Sequence, residues 1–173
     1  MSDQSAAKDF VISRVFDAPR DLMWQCFSDV KRMQWWGPKG VSIVKATMDF
    51  QVGGTYHYGM QTPDGQLMWG RQIYREISPP DRIVFINSFS DEAGGLSRHP
   101  LAPKWPLQML TVFTFEDAPG GKTRFTVRWL PYEATEEEQT VFDAGHASMT
   151  GGWSGTFERL EAYLASAQQQ QQQ

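Results

Sequence analysis

The sequence predicts an α+β domain: a strongly curved antiparallel sheet, two short helices after its first strand, and one long C-terminal helix across the concave side. Three observations predict it. Six strand-like runs follow one another from Ser42 to Leu130, each bounded by Gly, Pro, Asp or Ser. From about Thr135 the apolar spacing changes to three and four residues. Between the first strand and those six runs, residues 19–36 also show helical spacing.

The first strand is "DFVISRVFDAP", with Phe10, Ile12, Val15 and Phe16 apolar and Pro19 as its stop. Pro19 also suits the opening of a helix. Behind it, Leu22, Met23, Cys26, Phe27, Val30 and Met33 recur every three or four residues. That pattern is an amphipathic helix or a broken pair, with Ser28 or Asp29 able to cap the second piece, and Gly37-Pro38 ends it.

The six strands are "SIVKATMDF", "TYHYGMQ", "QLMWGRQIYREI", "RIVFINSFS", "LQMLTVFTFED" and "KTRFTVRWL", rich in Val, Ile, Phe, Tyr and Thr. Asp64-Gly65 and "APGG" mark two hairpin turns. In the last segment Thr135 is an N-cap, and Glu136, Glu137 and Glu138 are acids in a first turn, all favourable at the positive end of a helix. Phe142, His146, Met149, Trp153, Phe157, Leu160 and Leu164 then form one stripe. Gly151, Gly152 and Gly155 interrupt that helix, each costing about 1 kcal/mol relative to Ala, and mark a kink or a close approach to something packed there.

At 173 residues the chain fits one domain, residues 9–166, preceded by a flexible stretch, 1–8, and followed by a disordered glutamine tail, 167–173. A chain of this length buries roughly 70% of the surface it exposes when unfolded, so it needs neither metal nor disulfide to fold. One cysteine, Cys26, no basic-then-apolar leader and no apolar run near the roughly 20 residues that span a bilayer point to a cytoplasmic protein without membrane insertion. A net charge of −4 argues against a nucleic-acid partner. Aromatic content is unusually high, with seven Trp, eleven Phe and five Tyr; part of it belongs to a core, and a surplus of Trp and Met also suits a cavity for flat apolar molecules.

"FDAPRDLMWQCFSD", "WWGPKG", "MDFQVGGTYHYGM", "DGQLMWGRQIYREISPPDRIVF" and "MTGGWSGTFERLEAYLA", in that order, resemble the bacterial relatives of the Hsp90 ATPase activator homologue domain. That group belongs to the START-like, Bet v 1-like (SRPBCC) superfamily, and the resemblance runs from about Asp9 to Ser166. It implies the helix-grip fold, in which sheet and terminal helix enclose a space. It also implies three roles: carriage of hydrophobic molecules, cyclase or aromatase chemistry, and co-chaperone docking. It supplies no catalytic residue, and fold alone does not choose among the roles.

The residues themselves carry little chemistry. His57, His99 and His146 show no metal-ligand spacing, "GGWSGT" is only a partial nucleophile elbow, and no phosphate loop is present, so no metal and no cofactor is expected. An enzyme of the cyclase or hydrolase type would draw on His146, Tyr74 or Glu76. The reading preferred here is a binding module for a small hydrophobic or aromatic molecule, with a chaperone-type partner as the weaker alternative. Expected cavity residues are Trp35 and Trp36 at the helix end, one inward and one at the mouth, with Tyr56, His57 and Tyr58 on the second of the six strands. Met68, Gly70 and Tyr74 follow on the third, Phe85 and Asn87 on the fourth, and Met109 and Phe113 on the fifth. His146, Met149 and Trp153 come from the long helix, and Trp105 from the insertion 91–106, a candidate lid whose Gly and Pro content is wrong for a strand. Alternation in "WGRQIYREI" leaves open which side of that strand faces inward, since Trp69 and Ile73 share a face with Arg71 and Arg75.

Overall fold

The computed structural model describes residues 9–37, 39–99 and 102–171. The expected flexible residues 1–8, the helix stop at Pro38, Pro100 and Leu101 of the insertion, and the last two glutamines lie outside the described residues.

Among the described residues, eight strands form one antiparallel sheet. They are β1 (Phe10–Phe16), β2 (Ser42–Met48), β3 (Thr55–Gln61), β4 (Leu67–Ser78), β5 (Arg82–Ser90), β6 (Leu96–Ser97), β7 (Met109–Ala118) and β8 (Lys122–Pro131). The order across the sheet is β1-β8-β7-β5-β4-β3-β2, with the short β6 beside β5. Helix α1 (Arg20–Ser28) and a 3₁₀ helix (Val30–Trp35) join β1 to β2; α2 (Glu136–Ala144) and α3 (His146–Gln171) close the chain. This is the helix-grip architecture: a curved antiparallel sheet holding a long terminal helix, with its core on the concave side.

Caps explain where the helices divide. The carboxylate of Asp29 accepts from the backbone N–H of Lys31 and opens the 3₁₀ helix, the second piece of the pair expected there. Thr135 and Glu138 form a reciprocal capping box at the start of α2. Glu138 is itself buried, which pushes its carboxyl upward, but the Arg98 guanidinium and backbone donors at Thr135 and Leu107 outweigh that and hold it below the ordinary value.

The C-terminal segment differs from the expectation in two ways. The break falls at Gly145, the C-cap of α2, and the helix passes unbroken through Gly151, Gly152 and Gly155. A Cβ at Gly151 or Gly152 would meet nothing within 4 Å, so these glycines mark neither a kink nor a close approach. We expect Gly151→Ala to stabilise the domain by about 0.4–1 kcal/mol, read as a raised urea midpoint at unchanged slope. The second difference is the glutamine tail: residues 167–171 are helical, because Ala167 is buried and the Gln168 amide donates to the Asp17 carbonyl at 2.8 Å.

The insertion after β5 also departs from the reading. Leu96 and Ser97 pair with Ser90 and Phe89 and so extend the sheet locally.

Candidate functional site

Register decides which side chains face α3. Tyr56 lies opposite Gln72, and Gln72 opposite Asn87. The next rows are Tyr58–Gly70–Phe89 and Tyr74–Phe85–Thr111–Trp129. Tyr56, Gln72, Tyr74, Phe85 and Thr111 are buried, so these rows line the inner face. The ambiguity in β4 resolves accordingly: Met68, Gly70, Gln72 and Tyr74 point inward, while Trp69, Arg71 and Ile73 face the outside.

His57 is a correction. It alternates with Tyr56 and Tyr58 and therefore points outward, where its ring stacks on Trp69 at 5.1 Å and its Nε2 lies 3.2 Å from the Asp91 carbonyl. The turn after β5 covers this outer patch, with Arg71 donating to the Gly94 carbonyl at 2.8 Å.

Gly70 is inward but is not wall surface. A Cβ there would lie 2.6 Å from Cζ and Oη of Tyr58, so the missing side chain is the seat of that ring. On the opposite face Trp69 sits over Gly59 in the same way, a Cβ at Gly59 lying 2.8 Å from the indole.

Both tryptophans of the "WW" pair turn inward, to different depths. Trp35 is buried against Phe27, ring centroids 5.1 Å apart. Trp36 is half-buried and meets Tyr58, Phe113 and Trp153 at 6.4, 6.3 and 5.8 Å. The segment is clamped to α3: Arg159 donates to the carbonyls of Gln34, Trp36 and Gly37, and the Thr156 hydroxyl donates to that of Gly37.

From Trp36 the indoles continue in an unbroken chain. Trp153 lies 5.6 Å from Trp129, and Trp129 lies 6.4 Å from Trp105. Five tryptophans from the 3₁₀ helix, α3, β8 and the insertion thus touch in series, and Trp36, Trp105 and Trp129 keep part of their surface in solvent. Trp105 ends the series against Phe142 and beside Gly145, closing the corner between α2 and α3. Met109 and Met149 are buried in the same core, while Met68 is half-buried opposite Met60 in the β3–β4 register. Rings fill the space between sheet and helix where an open gap was expected. Hollows of about 390 and 430 Å³ lie elsewhere: one around Arg20, Asp81 and Asp117, the other over the outer face at Val11, Leu110, Val112 and Leu130.

Inside this apolar wall a few polar groups stand together. The Tyr56 and Tyr58 rings stack at 4.7 Å, and the Trp36 and Gln72 side chains adjoin the Tyr58 hydroxyl. Burial pushes all three inward tyrosine hydroxyls, on Tyr56, Tyr58 and Tyr74, above the ordinary phenol value, and their mutual proximity adds to it at Tyr56 and Tyr74. The Thr111 hydroxyl donates to Asn87 Oδ1 at 2.6 Å. Tyr56 Oη, Gln72 Nε2 and Trp35 Nε1 are buried without a hydrogen-bond partner; Ser88 and Ser90 hold two further such hydroxyls on the outer side. Gln72, which the sequence allowed on either side because the face of β4 was open, points inward.

The three suspects for catalysis do not meet. Tyr74 is inside; Glu76, beyond a bulge in β4, accepts from Ser78 and pairs with Arg82; His146 sits between Phe10 and Phe142 at 5.6 and 5.2 Å, at the head of α3. Cys26 is buried, and desolvation pushes its thiol up to about 12, so it is an inert packing group. No helix among the described residues is long and apolar enough to cross a membrane.

Comparison with known proteins agrees with the architecture. Solved structures of similar shape include protein Ms6760 from Mycobacterium smegmatis, 27% identical over 90% of each chain with a TM-score of 0.70. A protein from Arthrobacter aurescens is 27% identical over 92% of this chain and 87% of its own, TM-score 0.73. Protein NE0264 from Nitrosomonas europaea, at 21% identity, shares the fold over 96% and 98% of the two chains with a TM-score of 0.73. No curated protein matches the chain. The family model described as "Activator of Hsp90 ATPase homolog 1-like protein" matches residues 17–165, and on that match the chain belongs to this family.

Proposed function

We propose that the domain binds a small hydrophobic or aromatic molecule between α3 and the inner face of the sheet, with the Trp36 ring moving aside to admit it. The observation that carries this reading is the series of indoles. Tryptophans from separate segments meet in one band, and three of them retain solvent exposure. A band that served packing alone would gain by burying those rings completely, at about 25 cal/mol per Å² of apolar surface. Half-buried indoles, in one core with Met109 and Met149, form instead an adaptable apolar surface that can exchange ring–ring contacts for ring–ligand contacts. Two anchors hold the frame while the rings adjust: Arg159 on the backbone of residues 34–37 and the Thr135–Glu138 box at α2.

The test is a titration of the full chain with 2-ethylnaphthalene, followed by tryptophan fluorescence. Saturable quenching is expected, and Trp36→Ala should change both its amplitude and its midpoint. A signal that stays linear to the solubility limit contradicts the reading.

A further inference from the structure

Resting on the reading above, we infer that the molecule held there is neutral and carries a carbonyl-type oxygen, which accepts from Tyr56 Oη and Gln72 Nε2. These two donors belong to directly opposed residues of β3 and β4, and both are inside the protein: Tyr56 is 0% and Gln72 3% exposed. Tyr56 Oη has no hydrogen-bond partner, and Gln72 Nε2 makes no bond of good geometry, its nearest polar neighbour being the Tyr58 hydroxyl. Buried polar groups are almost always satisfied, and one left unpaired is costly; two such donors on opposed inward residues mark where an acceptor belongs.

The surroundings specify its charge. The inward rows of β3, β4 and β5 comprise Tyr56, Tyr58 and Met60, then Met68, Gly70, Gln72 and Tyr74, then Phe85, Asn87 and Phe89. None is ionic. Burial works against the phenolate at all three tyrosines, as it would against any anion placed beside them without a counter-charge. The cations at this end are already engaged: Arg159 donates to the carbonyls of Gln34, Trp36 and Gly37, and Arg32 donates to the Tyr163 hydroxyl. A carboxylate would therefore lose its hydration without compensation. A ketone, ester or quinone oxygen suits the two donors.

Three probes of nearly one shape separate the possibilities: 2-acetylnaphthalene, 2-ethylnaphthalene and 2-naphthoate, each titrated into the full chain at neutral pH. The ketone is expected to bind about ten-fold tighter than the hydrocarbon, as two neutral hydrogen bonds allow, and the carboxylate weakest. Tyr56→Phe with Gln72→Leu should bring the ketone down to the affinity of the hydrocarbon and leave the hydrocarbon unmoved; circular dichroism reports whether that variant is folded. Tyr56→Phe alone removes one oxygen and should remove part of the advantage. Equal affinity for ketone and hydrocarbon, or tightest binding of the carboxylate, overturns this inference while the interior site stands. Binding of none of the three overturns both.

Discussion

Phe113→Ala is expected to cost about 3–5 kcal/mol, the range for truncating a fully buried aromatic ring. Phe113 is 2% exposed and stands at the centre of the ring network. Phe27, Phe85 and Phe125 lie within 5.1 Å of its centroid, and Trp36 and Trp153 at 6.3 and 6.1 Å. These neighbours come from α1, β5, β8, the end of the 3₁₀ helix and α3. Its loss therefore loosens every element that packs on the concave face. Domains hold only about 5–15 kcal/mol in total, so the variant should sit near its folding threshold. Urea denaturation checks this: the midpoint should fall steeply while the slope stays that of the parent. Val11→Ala on the outer face, where Val11 is 52% exposed, should stay within about 0.5 kcal/mol.

Gly70→Ala should cost about 1–3 kcal/mol, the usual penalty of overpacking, although it adds one methyl group to a strand. The new Cβ would lie 2.6 Å from Tyr58 Cζ and Oη. Tyr58 cannot easily retreat, because the Tyr56 ring stacks on it at 4.7 Å and the Trp36 indole meets it edge-on at 6.4 Å. The substitution thus also displaces the hydroxyl that the Gln72 side chain adjoins. Shortening the obstructing ring should relieve the clash: in a double-mutant cycle, Gly70→Ala should cost much less on a Tyr58→Val background than on the parent. Additive costs would show that the two residues do not meet as described.

Much of this was legible in the sequence, for identifiable reasons. The strands, the opening of the helices at Asp29 and Thr135, and the helix-grip class rest on local signals: apolar period, turn residues and caps. What was not legible depends on contacts distant in sequence. The face of β4 is ambiguous locally because Trp69 and Ile73 are apolar yet face outward, where the turn at 91–95 covers part of that side. The same turn holds His57 on the outside. The unbroken run of α3 through its glycines follows from the stripe of Met149, Trp153, Phe157 and Leu160, whose burial outweighs the poor propensity of residues on the solvent side. Nor could the sequence show that rings fill the grip, since aromatic surplus reads alike as cavity lining and as packing.

The most direct measurement is a ¹³C-methyl spectrum of the eight methionines during titration with 2-acetylnaphthalene. Met60, Met109 and Met149 are buried around the grip, whereas Met23 and Met33 pack with α1 and the 3₁₀ helix. Saturable shifts concentrated at Met60, Met109 and Met149 are the predicted result. Saturation with those three signals unmoved would place the molecule outside the grip and contradict the account.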